Sequence, residues 1–136
     1  MDILTHSQIF EDAKDISISK EVISAISSIS PSNKILSIYS TNARAIYFFP
    51  INSDVYKIKI HIFPLTPEIV AKIMNKISEV ATKVIYSTGL CLVENRCFWE
   101  GFLQENDLTS DIEEIKDTLS SIAEIKDIEV DKVSSS

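Results

Sequence analysis

Val55-Tyr-Lys-Ile-Lys-Ile-His-Ile-Phe63 alternates isoleucine with cationic side chains along the length of one strand. Successive residues of a strand point to opposite faces. Ile58, Ile60 and Ile62 therefore form an apolar row, and Lys57, Lys59 and His61 a polar one. The pattern then switches to helical spacing. Thr66 is placed to cap a helix over 67–81, Pro67 suits its first turn, and Ile69, Ile73, Ile77 and Val80 form its stripe. Two strand-like runs follow at 84–93 and 97–103. A second helix over 111–122 opens with the capping box Ser110-Asp-Ile-Glu113 and buries Ile112, Ile115, Leu119 and Ile122. A last strand runs over 125–133.

This order, β-α-β-β-α-β, predicts an α+β, ferredoxin-like antiparallel sheet with two helices on one face. Such a unit pairs its first and last strands. Lys57, Lys59 and His61 would then neighbour Asp127, Glu129 and Asp131, and opposite charges across a pair favour that register by roughly 0.2–1 kcal/mol each. One rival exists: the run 43–51 is joined to the central strand by a short turn, and would set Phe48 against Ile58 and Ile46 against Ile60. The charge-matched pairing is the favoured expectation.

The first 52 residues read as an N-terminal extension, helix plus β-hairpin, packed on a main domain of residues 53–136. Thr5-His-Ser-Gln8 has capping-box spacing, which allows a short helix through Ala13. Val22, Ile23, Ile26 and Ile29 make one stripe, so residues 19–29 read as a helix ended by Pro31. Runs 35–40 and 43–51 flank Thr41-Asn42 as a hairpin, and Pro50, which lacks a ladder donor, belongs on an edge. Ser134 to Ser136 should fray.

Composition narrows the function classes. With 136 residues and 45% hydrophobic content, the chain suits a real core, and its 23 isoleucines favour strands. Two glycines, Gly89 and Gly101, are too few for a phosphate-cradling loop. A net charge of −7 argues against nucleic acid as a partner. No apolar run approaches a membrane span, and Met1 to Phe10 lacks the basic start and apolar run of a signal peptide. Cys91 and Cys97 stand six apart around a turn, without metal-ligand spacing. The expectation is plain buried or half-buried thiols in a cytoplasmic protein.

Candidate sites are few. His61 faces outward beside acidic neighbours with no nucleophile or second base in reach, and reads as a surface charge partner. Trp99 shares a face with Cys97 and Gly101, while Phe98, Glu100 and Phe102 lie on the other, where aromatic side chains serve core, ligand site or subunit interface. Gly89 marks either a bulge or a close backbone approach. The turn Phe63-Pro-Leu-Thr-Pro-Glu68 ends at a helix N-terminus, which can hold a carboxylate or be an ordinary capped start. No catalytic residue, metal or cofactor is implied.

The strand 56–63, Pro67-Glu-Ile-Val-Ala-Lys-Ile73 and Leu119-Ser-Ser-Ile-Ala-Glu-Ile-Lys-Asp-Ile-Glu-Val130 resemble the ACT domain, a regulatory module that often binds amino acids. The resemblance covers roughly residues 54–133. The family reads Asp-x-Pro-Gly before its first helix; here Leu65, Thr66, Pro67 and Glu68 stand there, so the proline matches while the acid and the glycine do not. ACT domains pair side by side, with effectors held where this turn meets the second strand of a neighbour. That implicates Leu65, Thr66, Pro67 and Glu68 with residues 84–89, in particular Tyr86, Thr88 and Gly89. Two expectations follow. One is a stand-alone regulatory module that binds a small effector, an amino acid by default, at a homodimer interface. The other is a homodimeric protein-interaction module without a small ligand.

Overall fold

A computed structural model describes residues 4–28 and 32–135. The protein is α+β, with two antiparallel sheets and three helices among the described residues, and it divides into two compact units. No described helix is long and apolar enough to cross a membrane.

The first unit comprises residues 1–54 and 133–136. Strands β1 (Thr5–Phe10), β2 (Lys34–Ser40) and β3 (Ala45–Ile51) form a sheet in that order. Helix α1 (Lys20–Ser27) belongs to a cluster in which buried Ile16 and Ile35 meet Phe10, Ile23 and Phe48. The capping-box reading of Thr5–Gln8 is overturned. The segment is strand β1, because antiparallel pairing with β2 along all six residues supplies backbone partners that a short helix would have had to find alone. The β2–β3 turn spans Thr41 to Arg44, and Arg44, not Asn42, takes a left-handed φ of 51°. Pro50 does lie on an edge strand. Of the α1 stripe, Val22 is exposed and Ile23 half-buried, while Ile29 and Pro31 lie outside the described residues. The tail is also held more firmly than expected: Ile9 N–H donates to the Ser134 carbonyl (3.1 Å) and Ser135 Oγ donates to Glu11 (2.7 Å). That hydrogen bond, with Lys34 nearby, holds the Glu11 carboxyl below its usual range.

The second unit, residues 55–132, carries strands β4 (Val55–Ile62), β5 (Tyr86–Cys91), β6 (Cys97–Gln104) and β7 (Ile125–Lys132) in the order β5-β6-β4-β7, all antiparallel. Ile58, Ile60 and Ile62 turn into a core with Ile69, Ile73 and Ile77 of α2 (Pro67–Ile77) and Ile115 and Leu119 of α3 (Ile112–Ser120). The cap of α3 is Asp111, one residue later than the expected capping box: its carboxylate accepts from Glu114 N–H at 2.8 Å. The charge-matched register forms, with Lys57 opposite Asp131, Lys59 opposite Glu129 and His61 opposite Asp127. The rival pairing does not, because β4 has β6 on its other side. A bulge between His61 and Ile62 shifts the end of the β4–β7 ladder.

Candidate functional site

The turn from β4 to α2 runs through a cis Phe63–Pro64 peptide. Phe63 N–H donates to the Glu124 carbonyl at 3.1 Å, which anchors the start of the turn. Thr66 caps α2, accepting from Ile69 N–H at 3.3 Å, and Pro67 occupies the first turn, where no amide partner is lost. Pro67 and Glu68 are exposed; Leu65 and Thr66 are half-buried. The helix start is thus an ordinary capped one, with the Glu68 carboxylate adding negative charge where the dipole already attracts it.

Gly89 lies on β5 with unbroken register to β6, so no bulge forms there. The close approach comes from the chain itself. A Cβ at Gly89 would stand 3.0 Å from Leu65 Cδ2 and 3.6 Å from Trp99 Cδ1. The Leu65 side chain therefore occupies the space beside the Gly89 backbone. Tyr86 and Thr88 alternate with Gly89 along the strand and project from the opposite face. Of the seven residues that the resemblance implicates, the structure brings Leu65 to Gly89, sets Thr66 to Glu68 along the adjoining helix start, and directs Tyr86 and Thr88 away.

That opposite face carries a lattice of charged and aromatic rows. Tyr86, Phe102, Lys57 and Asp131 follow one another across the four strands; Thr88, Glu100, Lys59 and Glu129 form the next row, and Leu90, Phe98, His61 and Asp127 the third. Lys57 and Glu100, only 4% and 2% exposed, form an ion pair at 3.3 Å, and the Lys57 ammonium also lies 5.7 Å from the Phe102 ring centre. Two residues along, Lys59 meets both Glu129 and Asp131 at 3.1 Å near the surface. His61 stacks on Phe98 with ring centres 5.0 Å apart and stands opposite Asp127 in the β4–β7 register. Composition alone missed Glu100 as a buried charge. Its signal was the alternation of Phe98, Glu100 and Phe102 on one face.

On the helix side, Trp99 and Cys97 are core residues. The indole of Trp99 lies over Gly101: a Cβ there would meet Cζ3 at 2.8 Å and Cη2 closer still. Cys91 and Cys97 correct the expectation of separate thiols, since they are joined in a disulfide. Leu92 N–H donates to the Arg96 carbonyl at 2.7 Å, which places the next pair, Cys91 and Cys97, at a non-hydrogen-bonded position where facing side chains are closest. The same alternation turns the amides of Ser87, Gly89 and Cys91 away from β6, along the outer side of β5.

Other hollows lie elsewhere. A cleft of about 600 Å³ opens at the start of α3 between Tyr56, Leu108, Asp111 and Ile112. Among the described residues, no group of three or more His, Cys, Asp or Glu side chains is arranged to hold a metal ion. Neither a protein-family model nor a curated protein sequence matches the chain.

Proposed function

We propose that residues 55–132 form a ferredoxin-like, ACT-like module that works without catalysis as a homodimeric interaction unit, joined through β5. The observation that carries this reading is the chemistry of β5. Tyr86-Ser-Thr-Gly-Leu-Cys91 contains no charge, has β6 as its only strand neighbour among the described residues, and turns alternate amides outward. An edge of this kind accepts another strand by main-chain hydrogen bonding. The strand order β5-β6-β4-β7 and the two helices on one face support the architecture. Sedimentation at micromolar concentration tests the reading: the expected species is twice 15.3 kDa, and a lone 15.3 kDa species sinks it.

One observation favours a second reading, the effector site. Leu65 fills an apolar niche beside Gly89 and the Trp99 edge, at the foot of a helix start. An aliphatic amino acid would have to displace that side chain and sit beside Glu68, which repels its carboxylate. Wild type should therefore show no thermal shift with any amino acid. Leu65→Ala combined with Glu68→Gly should open the niche and give a shift with leucine or valine, since a ligand that binds only the folded state raises its stability. A shift in wild type would restore the effector reading to first place.

A further inference from the structure

The β5–β6 hairpin ends in a covalent clamp that the interaction reading leaves unexplained. Cys91 is the last residue of β5 and Cys97 the first of β6, directly opposite in register. The turn between them holds two non-glycine residues in left-handed backbone, Glu94 (φ 59°) and Asn95 (φ 64°), and leaves Val93 76% exposed. The two sulfurs sit in different surroundings. Cys91 is exposed, whereas Cys97 is 2% exposed and belongs to the core cluster with Trp99. A reductant therefore has access on one side only. Exposed disulfides are the exchangeable ones, and a buried free cysteine is well tolerated as a small apolar side chain.

We propose that Cys91–Cys97 is a reversible redox lock on the edge strand β5, opened by a dithiol reductant. This regulation rests on the reading of β5 as the pairing edge. In the opening step a thiolate of the dithiol attacks Sγ of Cys91. The S–S bond breaks, and its electron pair leaves on Sγ of Cys97, which takes up a proton within the core. The second thiolate of the reductant then displaces Sγ of Cys91, which is protonated in turn. Two electrons and two protons pass to the cysteines, and the dithiol becomes a disulfide. Attack on a protein or small-molecule disulfide by the same two cysteines reverses the sequence.

The consequence falls on β5 because β6 alone holds it among the described strands. With the bond intact, the outward amides of Gly89 and Cys91 are presented at a fixed position. With the bond open, the strand keeps the hydrogen bonds of its ladder with β6, the Leu65–Gly89 contact and the Tyr86–Phe102 ring pair, and of these only the ladder reaches the turn. The strand then frays from Cys91 inward, and the pairing edge shortens.

The experiment uses the full chain treated with dithiothreitol under native conditions, then alkylated and mapped by mass spectrometry. Labelling of both cysteines without denaturant, Cys91 ahead of Cys97, is expected. Resistance to reduction until the chain is unfolded overturns the lock. Hydrogen exchange on the same samples should show amide protection at Leu90 and Leu92 falling about tenfold or more on reduction, the scale expected for releasing a short closed loop. Unchanged protection also overturns it. Sedimentation then separates the two ideas. A dimer that weakens on reduction, and equally in the Cys91→Ser/Cys97→Ser variant, supports both. A dimer indifferent to redox state overturns the regulation alone. A monomer in both states overturns the pairing edge, and the exchange data still judge the lock.

Discussion

The two edges of the four-stranded sheet are built on opposite plans. Strand β7 carries five charged residues in eight, Lys126, Asp127, Glu129, Asp131 and Lys132. Two of its acids are engaged by Lys59. Another strand approaching that edge would have to desolvate this row, and charged edges resist pairing for that reason. Strand β5 has no charge and is fastened instead by a disulfide, by ring contacts and by Leu65 against Gly89. The charge also changes character between the two sides of β4. Towards β6, Lys57 and Glu100 are buried together; towards β7, Lys59 pairs in partial contact with water. One edge is closed by solvated charge, and the other is left open and mechanically secured.

The largest test of this contrast is Glu100→Ala. It removes the carboxylate from the buried Lys57–Glu100 ion pair, and breaking such a pair by deleting one partner costs about 3–5 kcal/mol. Urea unfolding should show that loss. A change below about 1 kcal/mol, the scale of an exposed pair, would erase the distinction between the two sides. Next comes Gly101→Ala on β6, the strand from which β5 hangs. The new methyl meets the Trp99 indole in a packed core, and overpacking of this kind costs about 1–3 kcal/mol. The same substitution at Gly89 should be milder, because the contact there is the end of the Leu65 side chain.

On the β7 side the effects should be smaller. Lys59→Glu places like charges together and should lose about 0.2–1 kcal/mol, with Glu129→Lys in the same chain restoring part of it. Strictly additive effects would mean that the ladder of opposite charges does not select the register. The smallest effect is a pH dependence. Burial disfavours the Lys59 ammonium, but hydrogen bonds to Glu129 and Asp131, and their charges, outweigh it and raise the pKa above 10.5. A raised lysine pKa gives stability that is full below the unfolded value and is lost as pH rises through the folded one. As pH rises above the ordinary lysine value of about 10.4, wild type should lose thermal stability slightly more steeply than Lys59→Met. Identical slopes would show that the Lys59 pairs contribute nothing there.

Much of the second unit was legible in its residues, for physical reasons that act locally. The alternation of Ile58, Ile60 and Ile62 with Lys57, Lys59 and His61 defines a two-faced strand whatever surrounds it, and the opposite charges of β7 made it the favoured neighbour. Thr66-Pro67 announces a helix start because cap and first turn are satisfied within a few residues. The Ser110 capping box failed by one residue, since Asp111 competes for the same role and a carboxylate accepts the amide more strongly. The Thr5–Gln8 helix failed because a short helix is marginal alone, while β2 offered that segment a strand to pair with along its length.

The site was less legible, and the reason is distance along the chain. Residues 65 to 68 and 84 to 89 could be singled out as stretches, but the sequence does not say which side chain fills the space between them. That Leu65 lies against Gly89, and that Tyr86 and Thr88 project from the other face, follows from strand register and helix placement together. The disulfide has the same origin: two cysteines six apart are thiols or partners depending on whether the ladder sets them opposite. The amino-acid sequence by itself determined the elements of the second unit and their polar and apolar faces, and favoured the charge-matched pairing of β4 with β7 over its rival, because periodicity and charge act between near neighbours or along whole strands. Only the tertiary structure decided that Glu100 is buried against Lys57, that Trp99 lies over Gly101, and that β5 is an uncharged edge. Burial and edge position are properties of the assembled sheet, which no single strand carries.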